Sequence, residues 1–221
     1  MSHFAFVTIA VCLLLALGSF PWVASRRDWA LLVCALAATL VADYFLIVTR
    51  DYEWGVRAFV TVQIFYLNRI ALRMKEKQPP TKALWRTPKN ILKIICVLLA
   101  FFLLFMWLPL RLSPLLSEAA VYAGLFAVNL ILYGLYCFAP RFRNESGRRR
   151  MFVGMVLFAL CDINVGIINA FRLGLLLPGE VVSVAQTLVW VFYLPAQWLL
   201  AVSAIKIFSG RGPHERHPAG H

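Results

Sequence analysis

The chain has 221 residues, 62% of them hydrophobic and only 14% charged, with a mean hydropathy of +0.77. That composition excludes an ordinary soluble domain and a disordered chain, and it points to an integral membrane protein. The net charge of +12 would suit a nucleic-acid partner in a soluble protein. Here the positions of the charges account for it, and no nucleic acid is expected.

About 20 apolar residues are needed to cross the hydrocarbon core. Seven such runs are expected as spans: 4–23, 29–49, 55–72, 91–110, 118–139, 151–172 and 181–208. The first run follows "MSHFAF", which has no basic region, and it outlasts a signal-peptide core, so it reads as a retained helix. Connections are short, which gives one helical domain over 1–208 and a flexible cytoplasmic tail over 209–221. The expected architecture is all-α, a polytopic transmembrane bundle of about seven spans.

Arg26 and Arg27 follow span 1, and Arg73, Lys75, Lys77, Lys82, Arg86, Lys89 and Lys93 follow span 3. Arg141, Arg143, Arg148, Arg149 and Arg150 follow span 5, and Lys206, Arg211 and Arg216 follow span 7. Alternating loops thus hold most of the 22 basic residues. By the positive-inside rule the N-terminus lies outside and the C-terminus is cytoplasmic. The membrane is the inner (plasma) membrane in a bacterial cell or the endoplasmic reticulum in a eukaryotic one.

The five cysteines fall within spans, without the spacing of a metal site or a disulfide framework, and read as small buried hydrophobes. Three of the four histidines sit in the tail "GPHERHPAGH", where a metal role is not expected.

Polar side chains inside a membrane turn away from lipid, so their spacing marks the inward face of each helix. Thr39, Asp43 and Arg50 share a stripe on span 2; Phe59, Gln63, Tyr66 and Ile70 do so on span 3, with Asn68 and Arg69 beside them. Span 5 aligns Tyr122, Phe126, Asn129, Tyr133 and Tyr136; span 6 aligns Gly154, Phe158, Asp162 and Asn169; span 7 aligns Gln186, Trp190, Tyr193 and Gln197. Spans 2, 3, 5, 6 and 7 are therefore expected to surround a polar cavity. Spans 1 and 4 lack such stripes and are expected to face lipid or the second subunit of a homodimer. Polar residues that merely join helices are the plainer reading of any single stripe. Pro195 is expected to kink span 7 near its middle and free carbonyls toward the cavity.

Asp43 and Asp162 read as the acids deepest in the spans. An ionised carboxylate at that depth costs about 2.5 to 3.5 kcal/mol on insertion scales, so each needs a cation, a hydrogen-bond network or a proton. If they face each other, the pair can divide acid and base roles. A structural reading has Asp43 paired with Arg50 or Arg57, and Asp162 bonded to Asn164 or Tyr193. Motifs for serine, zinc or nucleotide chemistry do not occur in the sequence.

Three segments resemble the YhhN-like integral membrane family, which includes the lysoplasmalogenases: "ATLVADYFLIVTRDYEWGVRAFVTVQIFYLNR", "GMVLFALCDINVGI" and "FYLPAQWLLAVS". Ala42 stands where that family often has Gly, and Cys161 where it often has Ser; its members usually show about eight spans. The resemblance implies a hydrolase acting on an ether lipid, cleaving the vinyl ether bond of a lysoplasmalogen to a fatty aldehyde and a glycerophospho-base. It implies Asp43 and Asp162 as the catalytic aspartate dyad, with no metal or cofactor. Gln63, Tyr66, Asn129, Tyr133, Tyr193 and Gln197 would hold the single-chain ether phospholipid, with Arg57, Arg69 or Arg172 meeting its phosphate. Membrane lipids are the other expected partners. A seven-helix transporter or receptor with proton-coupled aspartates is the alternative reading, because span 2 with Asp43 followed by span 3 with "IFYLNRIAL" is weakly echoed by span 6 with Asp162 followed by span 7 with "VFYLPAQWLL".

Overall fold

The computed structural model describes residues 2–23, 25–76, 114–143, 145, 147–172, 174 and 178–205. Among these residues there are six long α-helices and no β-strand: α1 (Ser2–Gly18), α2 (Arg26–Asp43), α3 (Tyr52–Glu76), α4 (Pro114–Phe138), α5 (Arg148–Arg172) and α6 (Gly179–Ala201). They coincide with six of the expected spans; span 91–110 and the tail lie outside the described residues. The segments Arg26–Thr49, Ser117–Phe138, Arg148–Arg172 and Gly179–Ala204 are long and apolar enough to cross a membrane. Among the described residues, four of the seven expected spans thus satisfy length and composition together. In α1 the apolar stretch Phe6–Gly18 is shorter, and α3 is long enough but carries Arg57, Gln63, Asn68 and Arg69 along its length.

Consecutive helices pack side by side, and α6 returns to α1, so the six close a ring. Each buries its inward stripe. In α1 this is Ile9, Cys12 and Ala16, all fully buried, a narrow inward stripe that the sequence did not mark. Its other face, with Val7, Val11, Leu14 and Leu15, is exposed. The interior is lined by Leu32, Leu36, Tyr66, Tyr133, Phe158 and Leu200, among others.

Local chemistry sets the helix ends. Ser25 caps α2 by accepting from the Asp28 N–H (3.4 Å), the geometry expected of a Ser-x-x-Asp start. Helix α2 ends in a π-helical turn, Tyr44–Thr49, closed by Arg50 in the left-handed region (φ 58°). Asp51 then accepts from the Trp54 N–H (3.2 Å) as α3 begins.

The ends of the bundle differ in charge. At one end Val23 bridges to Ile205, Arg73 Nη2 approaches the Ser203 carbonyl, and Arg150 donates to Val202 and Ile205 carbonyls at 2.8 and 2.9 Å. Arg148 donates there to the Cys137 carbonyl (2.5 Å). The opposite end is mixed, with Arg57 bonded to Glu118 (2.7 Å) and Arg172 to Tyr52 (3.3 Å).

Helices α5 and α6 form an intimate pair because Gly154 leaves room for its neighbour. A Cβ built there would lie 2.9 Å from Leu200 Cγ and 3.3 Å from the Ala196 carbonyl oxygen. Gly154→Val is therefore expected to destabilise the protein by about 1 to 3 kcal/mol, the usual cost of overpacking. An unchanged midpoint in a detergent-unfolding titration would contradict this packing.

Candidate active site

The inward stripes of α2 to α6 converge as expected, and the π-helical turn sets the first acid. Asp43 is the last residue of α2, where the widening of the backbone begins; such insertions re-aim side chains and recur at functional positions. Its carboxylate is buried and accepts a short hydrogen bond at Oδ2 from the Tyr193 hydroxyl of α6. Asp162, half-buried on α5, accepts at Oδ2 from the Tyr122 hydroxyl of α4 (2.5 Å). Neither partner is the one that the structural reading of the sequence named. Arg57 instead binds Glu118 and, at 3.6 Å, Glu53. Asn164 turns back to the Leu160 carbonyl (2.7 Å). Arg50 is exposed.

An aromatic cluster joins the two Asp–Tyr pairs. Phe158, one turn before Asp162, meets the Tyr193 ring at 6.2 Å and the rings of Phe59 and Phe126 at 6.0 and 5.5 Å. Those two in turn flank Tyr122, at 5.8 and 5.9 Å. Edge-to-face contacts of this kind add to the burial term and fix ring orientation. Cys161, buried between Phe158 and Asp162 in sequence, lies within electrostatic reach of both carboxylates. Each carboxylate is thus held by its own tyrosine, and both tyrosine rings connect to Phe158 of α5, Tyr193 directly and Tyr122 through Phe59 and Phe126.

Below this layer the polar network continues. The fully buried Asn129 donates from Nδ2 to the Gln63 carbonyl (2.8 Å) and to Gln63 Oε1 (2.9 Å), tying α4 to α3. Gln63 also approaches the Tyr122 hydroxyl. Tyr133 donates to the Tyr66 carbonyl (3.2 Å), and their rings meet at 6.5 Å. Gln197 of α6 is fully buried with neither amide atom hydrogen-bonded. A buried amide with four unused bonding positions marks a place for water or a polar part of a ligand.

Three expectations change at this point. Arg69 does not sit among the acids: it is fully buried and bound to Asp28 through Nε (2.9 Å) and Nη2 (3.1 Å). Asp28 and Asp43 are separated by fifteen residues of α2, a rise of about 22 Å. Arg69, held by Asp28, therefore lies toward the opposite end of α2 from Asp43. Gln186 and Asn169, expected on inward stripes, are exposed, as is Pro195 within the otherwise continuous α6.

Asp28 is the functional-looking acid that sequence reasoning passed over. It lies just before the expected second span, outside the run in which Asp43 stood out. In the structure it accepts four hydrogen bonds, two from Arg69 and two from Arg73 at 2.7 and 2.6 Å. Arg69 and Arg73, one helical turn apart on an otherwise apolar face, were the signal that a buried counter-charge was required.

Comparison with curated proteins and with solved structures finds no match. The YhhN family model matches residues 3–204, nearly the whole length over which the helices, the two Asp–Tyr pairs and the buried amides are distributed, and the chain accordingly belongs to the YhhN family of membrane proteins.

Proposed function

We propose that this protein is an intramembrane lipid hydrolase that cleaves the vinyl ether bond of a lysoplasmalogen, with Asp43 and Asp162 as its catalytic dyad. The observation that carries the reading is the pair of interior carboxylates, each bonded by a tyrosine hydroxyl and both adjoining one aromatic cluster, in a member of this family.

The chemistry asks little more of the chain. One aspartate, holding a proton, delivers it to the outer alkene carbon, and the electron pair of the ether oxygen closes an oxocarbenium ion. The other, ionised, stabilises that cation and takes a proton from the attacking water. The resulting hemiacetal collapses to aldehyde and a free glycerol hydroxyl, which balances water consumed against products released. Tyr193 and Tyr122 orient the two carboxylates, the Phe158 cluster lies against the hydrocarbon chain, and Gln63, Asn129 and Gln197 hold water and the polar linkage. Tyr66 and Tyr133 close the polar network below them. Arg57, just over three turns before Arg69 and paired with Glu118, which lies one turn before Tyr122 on α4, suits the phosphate better than Arg69 does.

For the topology we favour seven crossings, with the N-terminus outside and the C-terminus cytoplasmic. The C-terminal ends of α3 and α4 lie at the same end of the bundle, anchored by Arg73 to Ser203 and by Arg148 to Cys137. Neighbouring helices that run in parallel need a connection that returns across the bundle, and 91–110 is an apolar run of the required length. The basic end is then cytoplasmic.

The test is aldehyde release by purified protein from a lysoplasmalogen in detergent, set beside flux of the same lipid across sealed liposomes. Product formation supports the hydrolase; transport without product would replace it with the transporter reading.

A further inference from the structure

The basic end holds a feature that the dyad does not use. Asp28, Arg69 and Arg73 are all buried, yet two guanidinium groups share one carboxylate. All of Asp28's accepting capacity is engaged, two bonds to each oxygen. Arg69 is fully buried, and its Nη1 nitrogen has no hydrogen-bond partner once Nε and Nη2 have gone to Asp28. One turn earlier on the same face of α3, the fully buried Tyr66 also has a hydroxyl without a partner.

The surroundings deepen the imbalance. Tyr133 and Tyr136 of α4 lie within electrostatic reach of Arg73, the hydroxyl of Tyr133 being engaged by the Tyr66 carbonyl. Arg150 of α5 faces Arg73 as well, its own nitrogens bound to the Val202 and Ile205 carbonyls. Among the described residues, a further carboxylate on this side is the half-buried Glu145, beside Tyr136. Asp28 and Glu145 set against Arg69, Arg73 and Arg150 leave positive charge in excess. Water would suit a mixture of unused donors and acceptors, as at Gln197. Here both unused groups can donate, and the local charge is positive, which is the recognition chemistry of an oxyanion.

We propose that Arg69 Nη1 and the Tyr66 hydroxyl, backed by the Asp28–Arg73 pair, form a buried anion site that takes a phosphate group, supplied by an anionic lipid headgroup or as free phosphate. Asp28 locks both guanidinium forks so that the remaining Arg69 nitrogen points away from it toward the ligand. Basic pockets between helices on the cytoplasmic side are where anionic headgroups are captured. Asp28, which anchors the site, lies about 22 Å from Asp43 along α2, and the experiment reads anion binding rather than turnover, so its outcome is separable from that of the lipid-hydrolase reading.

The experiment uses the full-length protein in phosphatidylcholine nanodiscs, with thermal unfolding followed in inorganic phosphate and in chloride at equal ionic strength. A parallel preparation contains phosphatidylglycerol in phosphate-free buffer, with lipid retention read by native mass spectrometry. Stabilisation by inorganic phosphate beyond chloride identifies the free ion, and retention of phosphatidylglycerol with stabilisation identifies the headgroup; either supports the site. Tyr66→Phe removes a hydroxyl that has no partner, so it leaves the unliganded melting temperature unchanged and weakens anion binding about tenfold, the effect of one hydrogen bond to a charged group. Arg69→Lys keeps a charge for Asp28 but loses the free nitrogen, and it abolishes the response. If neither anion stabilises the protein beyond chloride, or if Tyr66→Phe binds the anion as wild type does, the proposal is overturned.

Discussion

If the proposed hydrolysis holds, Asp43→Asn and Asp162→Asn are each expected to lower lysoplasmalogen turnover by at least about a hundredfold while the protein still folds, the loss typical of removing a general acid or base. The asparagine amide keeps the shape of the carboxyl and can still meet the tyrosine hydroxyl, which separates chemistry from packing. Folding is read by gel filtration and melting temperature beside the aldehyde assay. Tyr193→Phe and Tyr122→Phe, which leave the carboxylates in place but unoriented, reduce turnover less than the aspartate changes do. Because residues acting as a unit are not additive, the double Asp43→Asn/Asp162→Asn variant is expected to be little worse than the more damaged single one. Full turnover in both single variants would remove the dyad from the mechanism, and losses that multiply in the double variant would mean that the acids serve separate functions.

The second large effect is on stability. Asp28→Ala leaves Arg69 and Arg73 buried with no carboxylate between them, and removing one partner of a buried ion pair costs about 3 to 5 kcal/mol. The loss is spread over three helices, because Asp28 is on α2, both arginines are on α3, and Arg73 reaches Ser203 beyond α6. Unfolding in a denaturing-detergent titration should shift to a distinctly lower midpoint. By contrast, Arg57→Ala breaks an exposed pair with Glu118 and Glu53 and should leave the midpoint within error. Equal midpoints for the two variants would show that the buried cluster does not hold the basic end together.

The contrast between Arg57 and Arg69 shows why the site was only partly legible. Arg57 has Glu53 one turn back in the sequence, whereas Arg69 has Arg73 one turn on, a pattern that calls for a counter-charge without naming it. Arg57 meets acids one turn back and on a neighbouring helix, at an exposed end; Arg69 is driven inward by Asp28, 41 residues earlier in the chain. The stripe of Gln63, Tyr66, Asn129, Tyr133, Tyr193 and Gln197 was legible because helical periodicity alone decides which side chains share a face, and each of these six is buried. The partners of Asp43 and Asp162 were not, since Tyr193 and Tyr122 come from other helices, 150 and 40 residues away.

By itself, then, the sequence determined that the protein is helical and membrane-embedded, where most of its helices begin and end, and much of the inward face of α2 to α6. These are properties of short windows, governed by hydropathy, caps and a period of 3.6 residues. The pairing of each aspartate with its tyrosine, the aromatic cluster around Phe158 and the burial of Asp28 between two arginines were decided only by the tertiary structure. They depend on which helices become neighbours and on their relative depth, and that is fixed by packing and by the high cost of an unpaired polar group between helices, which no single window contains.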